Sequence, residues 1–475
     1  MAIPSDMTGI GRAQADLEEF DTAVRMTAMR RWTLLLIALG EFVDGYDLIV
    51  IGGALLLLKP QFHLSASETG ILGAGAFFGA AAGLLVFGEV TDRVGRRNVF
   101  LYNFGFFVVF ALLSAFVTNF GELLACRVLL GAVIGTDIAT SMTFLAEISP
   151  RQSRGSWTGA LPQVAWTVGA LVSLLVALAL FNTVGAEAWR WMFALGALPA
   201  LVVLVGRRTI PESPRWLVAQ GRADDAAASM LKLGLSPAAP GHRTKPAVSE
   251  AVIALRPGSE ASYLDIFKRP YTGAAILAIV IVGFTPLVGA PASVIAPYVL
   301  HYVGLLGPTA ALKGSMFIWI GGLVGSIVAF LTIDRIGRLV SSAISVFGAF
   351  VCLVLLALLT GHATAFVAVY VVLGALTWFG ASSFWALPTE LLPTHLRARG
   401  QGLGNGLARG VVGATTWIVP AGIAALGFEP TIILLGACGI PLGIYALLGR
   451  RFEPRGRPLD EMPSIEVHRT ERAAL

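Results

Sequence analysis

The sequence predicts an all-α integral membrane protein, with twelve transmembrane helices in two pseudo-symmetric six-helix bundles. Composition is the first observation behind this. Hydrophobic residues make up 56% of the 475 and charged residues only 13%, against about 25% charged in a typical soluble domain. An internal repeat is the second. Glu147-Ile148-Ser149-Pro150 leads to Arg154, and Glu390-Leu391-Leu392-Pro393 leads to Arg397, an offset of 243 residues in both cases (147 to 390, 154 to 397). Asp92-Arg93-Val94-Gly95-Arg96 recurs as Asp334-Arg335-Ile336-Gly337-Arg338 at an offset of 242 (92 to 334). Two unrelated charged phrases sharing one period imply a duplicated architecture. The third observation is the placement of lysine and arginine. With both termini cytoplasmic, 29 of the 34 fall in the tails and the inward loops, as the positive-inside rule requires.

A spanning helix needs about 20 mostly apolar residues. Residues 1–32 form a polar N-terminal tail of mixed charge, without the short apolar segment and cleavage site of a leader, so the first span serves as its own insertion signal. The amino half, 33–206, holds runs at 33–58, 68–91, 98–118, 122–146, 157–181 and 190–206. A polar interval, 207–270, follows. It opens with Pro211-Glu212-Ser213-Pro214-Arg215-Trp216-Leu217, continues with apolar residues at helical spacing over 222–233, and becomes a Pro-, Gly-, Ser- and Ala-rich linker over 236–259. It reads as a short cytoplasmic helix pair joining two bundles. The carboxyl half, 271–449, holds runs at 271–300, 311–333, 340–361, 364–388, 402–425 and 429–449, before a cytoplasmic tail over 450–475. Pro286, Pro291 and Pro297 predict kinks or a break in the seventh span.

Several classes are excluded. The net charge of +5 is a topology signal rather than a nucleic-acid footprint. Cys126, Cys352 and Cys438 all fall in apolar runs and support neither a disulfide framework nor a metal site. No Asn-x-Ser/Thr sequon is present, which fits a bacterial inner membrane. With no phosphate-binding loop and no metal-ligand cluster, nothing points to an enzyme, a nucleotide or a cofactor.

Gly88-x-x-x-Asp92-Arg93-x-Gly95-Arg96-Arg97 resembles the signature between helices two and three of the major facilitator superfamily. The Pro-Glu-Ser-Pro-Arg-Trp-Leu phrase and both Glu-x-x-Pro-x-x-x-Arg phrases resemble its sugar porter branch and related metabolite–proton symporters. The resemblance spans about residues 30–450 and implies the major facilitator fold. In the second copy Phe330 replaces the leading glycine and Leu339 the last basic residue, which predicts a weaker latch in the carboxyl half. Independently of the family, acids and arginines at helix ends can pair when that side is shut and hydrate when it opens. The gating candidates are therefore Gly88, Asp92, Arg93, Gly95, Arg96, Arg97, Glu147, Arg154, Glu212 and Arg215, with Asp334, Arg335, Gly337, Arg338, Glu390 and Arg397 in the second half.

The first span contains Glu41-Phe42-Val43-Asp44-Gly45-Tyr46-Asp47, and three-residue steps keep its three acids on one helical face. An ionised carboxylate near the bilayer centre costs about 2.5–3.5 kcal/mol, so such a stripe needs partners or a cavity. Arg127 sits roughly 28 Å from the inner end of its span and Asp47 roughly 22 Å from its own, depths compatible with contact. The resemblance makes Asp47 the proton acceptor and Arg127 its partner. Asp44 with Asp137 is similar to the extra acids of phosphate–proton symporters, so Glu41, Asp44 and Asp137 join Asp47 and Arg127 as proton-coupling candidates. Arg409 in the eleventh span keeps its proton and needs an acid or an anionic ligand; it resembles an arginine of aromatic-acid symporters. By resemblance Gln163 and Trp385 match sugar-contacting positions, and Trp378 and Tyr46 complete the substrate-binding candidates. The glutamine pair expected in the seventh span of a hexose porter is absent.

These readings predict a monomeric proton-coupled symporter that imports a small organic metabolite across the bilayer, with a carboxylate favoured by Arg409. The alternative is a neutral sugar or polyol symporter, and behind it a drug–proton antiporter or a non-transporting nutrient sensor. Arg409 without an acidic neighbour would favour the acid, and tight pairing of Arg409 with Asp or Glu would favour the neutral solute.

Overall fold

The computed structural model describes residues 26–149, 161–234, 263–268, 271–302, 306–392 and 394–454, together with Leu17 and Trp157. Side chains are described at all of these except 87–94, 146, 219, 290–293, 302, 334, 384–386, 389, 394–395 and 397–398. Among the described residues every regular element is helical. The amino half comprises α1 (Ala28–Gln61), α2 (Ala66–Val94), α3 (Arg96–Phe116), α4 (Phe120–Ile148), α5 (Leu161–Thr183) and α6 (Ala188–Arg207). Two short helices follow, α7 (Pro214–Ala219) and α8 (Ala223–Leu233). The carboxyl half begins with a span in three pieces, α9 (Thr272–Phe284), α10 (Pro286–Val294) and α11 (Ala296–Tyr302). It continues through α12 (Pro308–Ile336), α13 (Arg338–Leu358), α14 (Ala363–Leu391) and α15 (Thr394–Leu426), then α16 (Phe428–Ala437) and α17 (Gly439–Leu448).

Eleven of these stretches are long and apolar enough to cross a membrane. The 34-residue α1 is the twelfth, set apart by the charges it carries. It starts where Thr27 accepts a hydrogen bond from the Arg30 amide, and the same hydroxyl donates to the Leu233 carbonyl at 2.6 Å, docking α8 beneath it. Ser213 caps α7, Pro214 sits at its first position, and Gly234 ends α8 in the left-handed conformation. The expected helix pair is therefore present over its first part; the linker 236–259 lies outside the described residues. One boundary needs correcting. Arg207, expected in the polar interval, is the last residue of α6 and is 1% exposed.

Each half has its own apolar core. In the first, α1 lies at the centre, with Leu34, Leu48, Ile49 and Val50 fully buried. In the second, Ala278, Ile281, Leu353 and Phe366 are sealed. The first core also takes Leu312 and Trp319 from α12 and Val412 and Val419 from α15, so the halves share packing. Gly402, Gly406, Gly410 and Gly413 of α15 lie against Leu84, Leu85, Ala81 and Phe78 of α2, a seam that small residues permit.

Candidate functional site

Close contact between α1 and α5 positions the acidic stripe. A methyl group added at Gly45 would lie 2.0 Å from the Trp166 carbonyl oxygen, and one at Gly169 would lie 2.0 Å from that of Phe42. The two backbones therefore touch, and Glu41, Asp44 and Asp47 are held at 0%, 0% and 1% exposure. The stripe divides into two arrangements.

Asp47 is paired. Arg127 Nη1 donates to its Oδ1 at 2.9 Å and lies 2.8 Å from Oδ2, where the contact is electrostatic. Arg127 Nη2 donates to the Asp47 carbonyl at 2.8 Å, and the guanidinium rests 5.3 Å from the Phe193 ring centre. The depth estimate from the sequence thus corresponds to a direct contact.

Asp137 is paired as well, with a residue the sequence reading had placed in a loop. Arg207 Nη1 donates to Oδ1 at 2.5 Å and Nη2 to Oδ2 at 3.2 Å, while Ser141 donates to Oδ2 at 3.1 Å. The guanidinium lies 4.3 Å from the ring centres of both Phe100 and Phe104. Both side chains are almost fully buried, at 0% and 1% exposure. A signal was available: an acid inside the fourth span requires a partner, and the sixth apolar run abuts Arg207.

Glu41 and Asp44 differ. All four of their carboxylate oxygens are buried and accept no hydrogen bond. Their charges interact with one another and with Asp137, Arg207 and Arg409. Arg409 reaches across from α15 in the other half and acts electrostatically on both acids without bonding to either. The sequence leaves Arg409 open to an anionic ligand; in the structure two carboxylates of α1 act on its charge.

The other substrate candidates are dispersed. Gln163 is buried on α5, its side-chain amide 3.4 Å from the Thr167 hydroxyl. Tyr46 donates its hydroxyl to the Met192 carbonyl at 2.9 Å, which ties α1 to α6 and occupies the group. Trp378 packs with Trp166 and Trp319 in a closed trio, with ring centres 4.7, 5.1 and 5.4 Å apart. All three indole N–H groups are buried and unbonded. The trio joins α5 to α12 and α14, hence one half to the other, and the sequence reading named only one member. The Trp385 side chain lies outside the described residues.

At the end where residues 26–30, the α2–α3 turn and α7–α8 meet, the gating candidates form a network. Gly95 has φ +96° and ψ 152°, a conformation open essentially to glycine alone. It turns the chain so that the Arg96 and Arg97 amides both donate to Glu212. The Arg96 guanidinium pairs with Glu147 at 3.2 Å, and Ser213 donates to the other Glu147 oxygen. The second half repeats the set. Gly337 has φ +97° and ψ 156°, the Arg338 and Leu339 amides donate to Glu453, and Arg338 pairs with Glu390 at 2.8 Å. Leu339 takes the place of Arg97 in this turn through its backbone amide, without a counterpart to the Arg97 guanidinium, which reaches the Arg208 carbonyl at 3.5 Å. Glu453, expected in a tail, is the counterpart of Glu212 at an offset of 241 residues (212 to 453). Arg215 is half-buried and Arg335 exposed. Arg154 lies outside the described residues, as do the side chains of Asp92, Arg93, Asp334 and Arg397; the backbone at Gly88 is helical.

At the opposite end the halves meet between α1 and α10–α11. Gly52 packs on the Val294 carbonyl, and Lys59 lies 3.4 Å from the Tyr298 hydroxyl and 5.1 Å from its ring centre. A duplicated latch at the helix ends and buried ion pairs between spans fit a membrane transporter of two halves. The profile of the family described as "Sugar (and other) transporter" matches residues 33–465, and the chain belongs to that family. It is 30% identical over 447 residues to the putative metabolite transport protein YaaU of Escherichia coli K12, covering 94% of this chain and 97% of that one. It is likewise 30% identical over 451 residues to the glucose transporter GlcP of Staphylococcus epidermidis, covering 92% and 97%. The structure of the major facilitator proton:xylose symporter XylE bound to 6-bromo-6-deoxy-D-glucose superposes with TM-score 0.75 at 21% identity, covering 93% and 100%. The fold is that of the major facilitator superfamily. The protein is a multi-pass membrane transporter of small molecules, not an enzyme.

Proposed function

We propose that this transporter is a proton-coupled importer of a neutral sugar or polyol, working by alternating access with both termini cytoplasmic. The observation that carries the reading is the setting of Arg409. A cation free to bind a carboxylate would stand alone, whereas this one faces Glu41 and Asp44. An incoming anion would find Arg409 already balanced by carboxylate from α1, with no uncompensated cation to offset its desolvation in a low-dielectric site. The carboxylate favoured on sequence grounds is therefore set aside for its alternative. GlcP and XylE, a glucose transporter and a proton:xylose symporter by name, agree with that choice.

Asp47 and Arg127 supply the coupling chemistry. While Asp47 is ionised, Arg127 holds it through its carboxylate and its backbone carbonyl, which locks α1 to α4. A proton on Asp47 removes the charge that Arg127 binds and frees α1 to move with its solute. The electrochemical proton gradient sets how often Asp47 is protonated from each side. Rearrangement of the Arg96–Glu147 and Arg338–Glu390 pairs then opens the end bearing the α7–α8 pair. Differential stabilisation of a few kcal/mol is enough to bias such a two-state equilibrium.

The test is uptake by proteoliposomes under an inward acid gradient, comparing D-glucose, D-xylose and myo-inositol with benzoate and 4-hydroxybenzoate. Gradient-driven accumulation of a neutral solute, abolished by a protonophore and by Asp47→Asn, is expected. Accumulation confined to the carboxylates would overturn the reading.

A further inference from the structure

The buried charges of the two halves do not balance. Asp47 is matched by Arg127, and Asp137 by the bidentate Arg207. What remains is Arg409 against both Glu41 and Asp44, two acids to one base, with every carboxylate oxygen sealed from water and without a hydrogen bond. Among the described residues the groups whose charges act on this pair are Asp137 of α4, Arg207 of α6 and Arg409 of α15. Two of those three already neutralise each other. A second bare carboxylate, three residues from the first on one helical face, would have neither counter-charge nor hydrogen-bond donor in a membrane interior. Such groups take up a proton instead of remaining ionised.

We infer that Glu41 and Asp44 together hold one resident proton at neutral pH, forming a proton-binding site distinct from Asp47–Arg127. This deepens the symport reading and gives the transporter two proton stations on α1, about one turn apart. Arg409 balances the carboxylate that stays ionised. Because Arg409 belongs to the other half, movement of α15 away from α1 removes that balance and calls for a second proton. The occupancy of this site is thereby tied to the rocking of the halves. No bond other than O–H is made or broken, and the proton comes from and returns to water.

The site can be tested without a transported solute, so the outcome is independent of whether the sugar reading stands. Infrared difference spectroscopy of the purified protein in lipid, titrated with pH and repeated in D2O, detects the carbonyl stretch of an un-ionised carboxylic acid. A deuterium-sensitive band at neutral pH is expected in the wild type. It should be lost or strongly reduced in Glu41→Gln and in Asp44→Asn, and retained in Asp47→Asn. Arg409→Met should enlarge the band, because both carboxyls then lack a counter-charge; this variant serves if either acid substitution fails to give monodisperse protein. Absence of the band from the wild type, or its loss in Asp47→Asn alone, would overturn the inference. So would a band unchanged in Arg409→Met together with whichever acid variants fold.

Discussion

Arg207 shows what a buried charge requires of its neighbours. Both terminal nitrogens of its guanidinium donate, to Asp137, Ser141 and the Ile37 carbonyl, Nε is buried without a partner, and two phenylalanine rings lie 4.3 Å away. Removing one partner of a buried pair leaves the other without compensation, at a cost of about 3–5 kcal/mol. Arg207→Ala should therefore lower the apparent melting temperature in detergent sharply. The double variant Arg207→Met with Asp137→Leu should recover most of that loss, since no charge is left stranded. An undiminished Arg207→Ala would show that water reaches Asp137. At this scale the sequence was uneven as a guide. Asp47 and Arg127 could be matched by depth because both stand inside apolar runs. Arg207 could be matched only through the need of Asp137 for a partner, because a basic residue at the end of a run looks the same whether it snorkels outward or folds inward against α3. Which acid Arg409 faces likewise depends on how two halves dock, and no local pattern records that.

Among the elements, the turns between paired spans are the most constrained. Gly95 and Gly337 occupy a region of backbone space in which a side chain costs about 1–3 kcal/mol. A methyl at Gly95 would also lie 2.7 Å from Glu212 Oε2, and one at Gly337 2.9 Å from the Glu453 carboxyl carbon. Gly95→Ala and Gly337→Ala should each destabilise the protein and slow uptake, as read by thermal unfolding and transport rate. Alanine at the open turn glycine Gly185, with nothing within 4 Å, should lose less of the melting temperature than either. Helix existence and order were legible, because apolar runs of spanning length leave little choice. The seventh span also broke where its prolines stand, at Pro286 and near Pro297, giving α9, α10 and α11. Helix ends were less legible. α1 extends from Ala28 to Gln61 instead of 33–58, because polar residues continue its hydrogen bonding beyond the apolar stretch.

Across the whole molecule, the halves meet along α2–α15, α5–α12 and α1–α11, and the tryptophan trio lies within the second of these contacts. Three of the chain's ten tryptophans are thus packed against one another across the divide. Rocking of the halves would part Trp166 from its two partners. Binding of the transported solute should change the intrinsic tryptophan emission, and Trp166→Phe should remove most of that change. An identical response in the variant would place the motion elsewhere. Repeats at one period revealed the twofold plan from sequence, since charged phrases are conspicuous between apolar runs. The trio stayed hidden because tryptophans in such runs are ordinary.

Glu453 has a practical corollary for anyone cutting or fusing this chain. The residues after the last span are the piece that closes the α12–α13 turn, as Glu212 closes its partner turn in the first half. A fluorescent fusion joined directly after Leu448 would therefore uncap a helix more than a hundred positions upstream, whereas one joined beyond Pro454 would not. For the same reason an amino half expressed on its own should extend through α8, since stopping at residue 206 discards both the buried Arg207 and the carboxylate that seats α3.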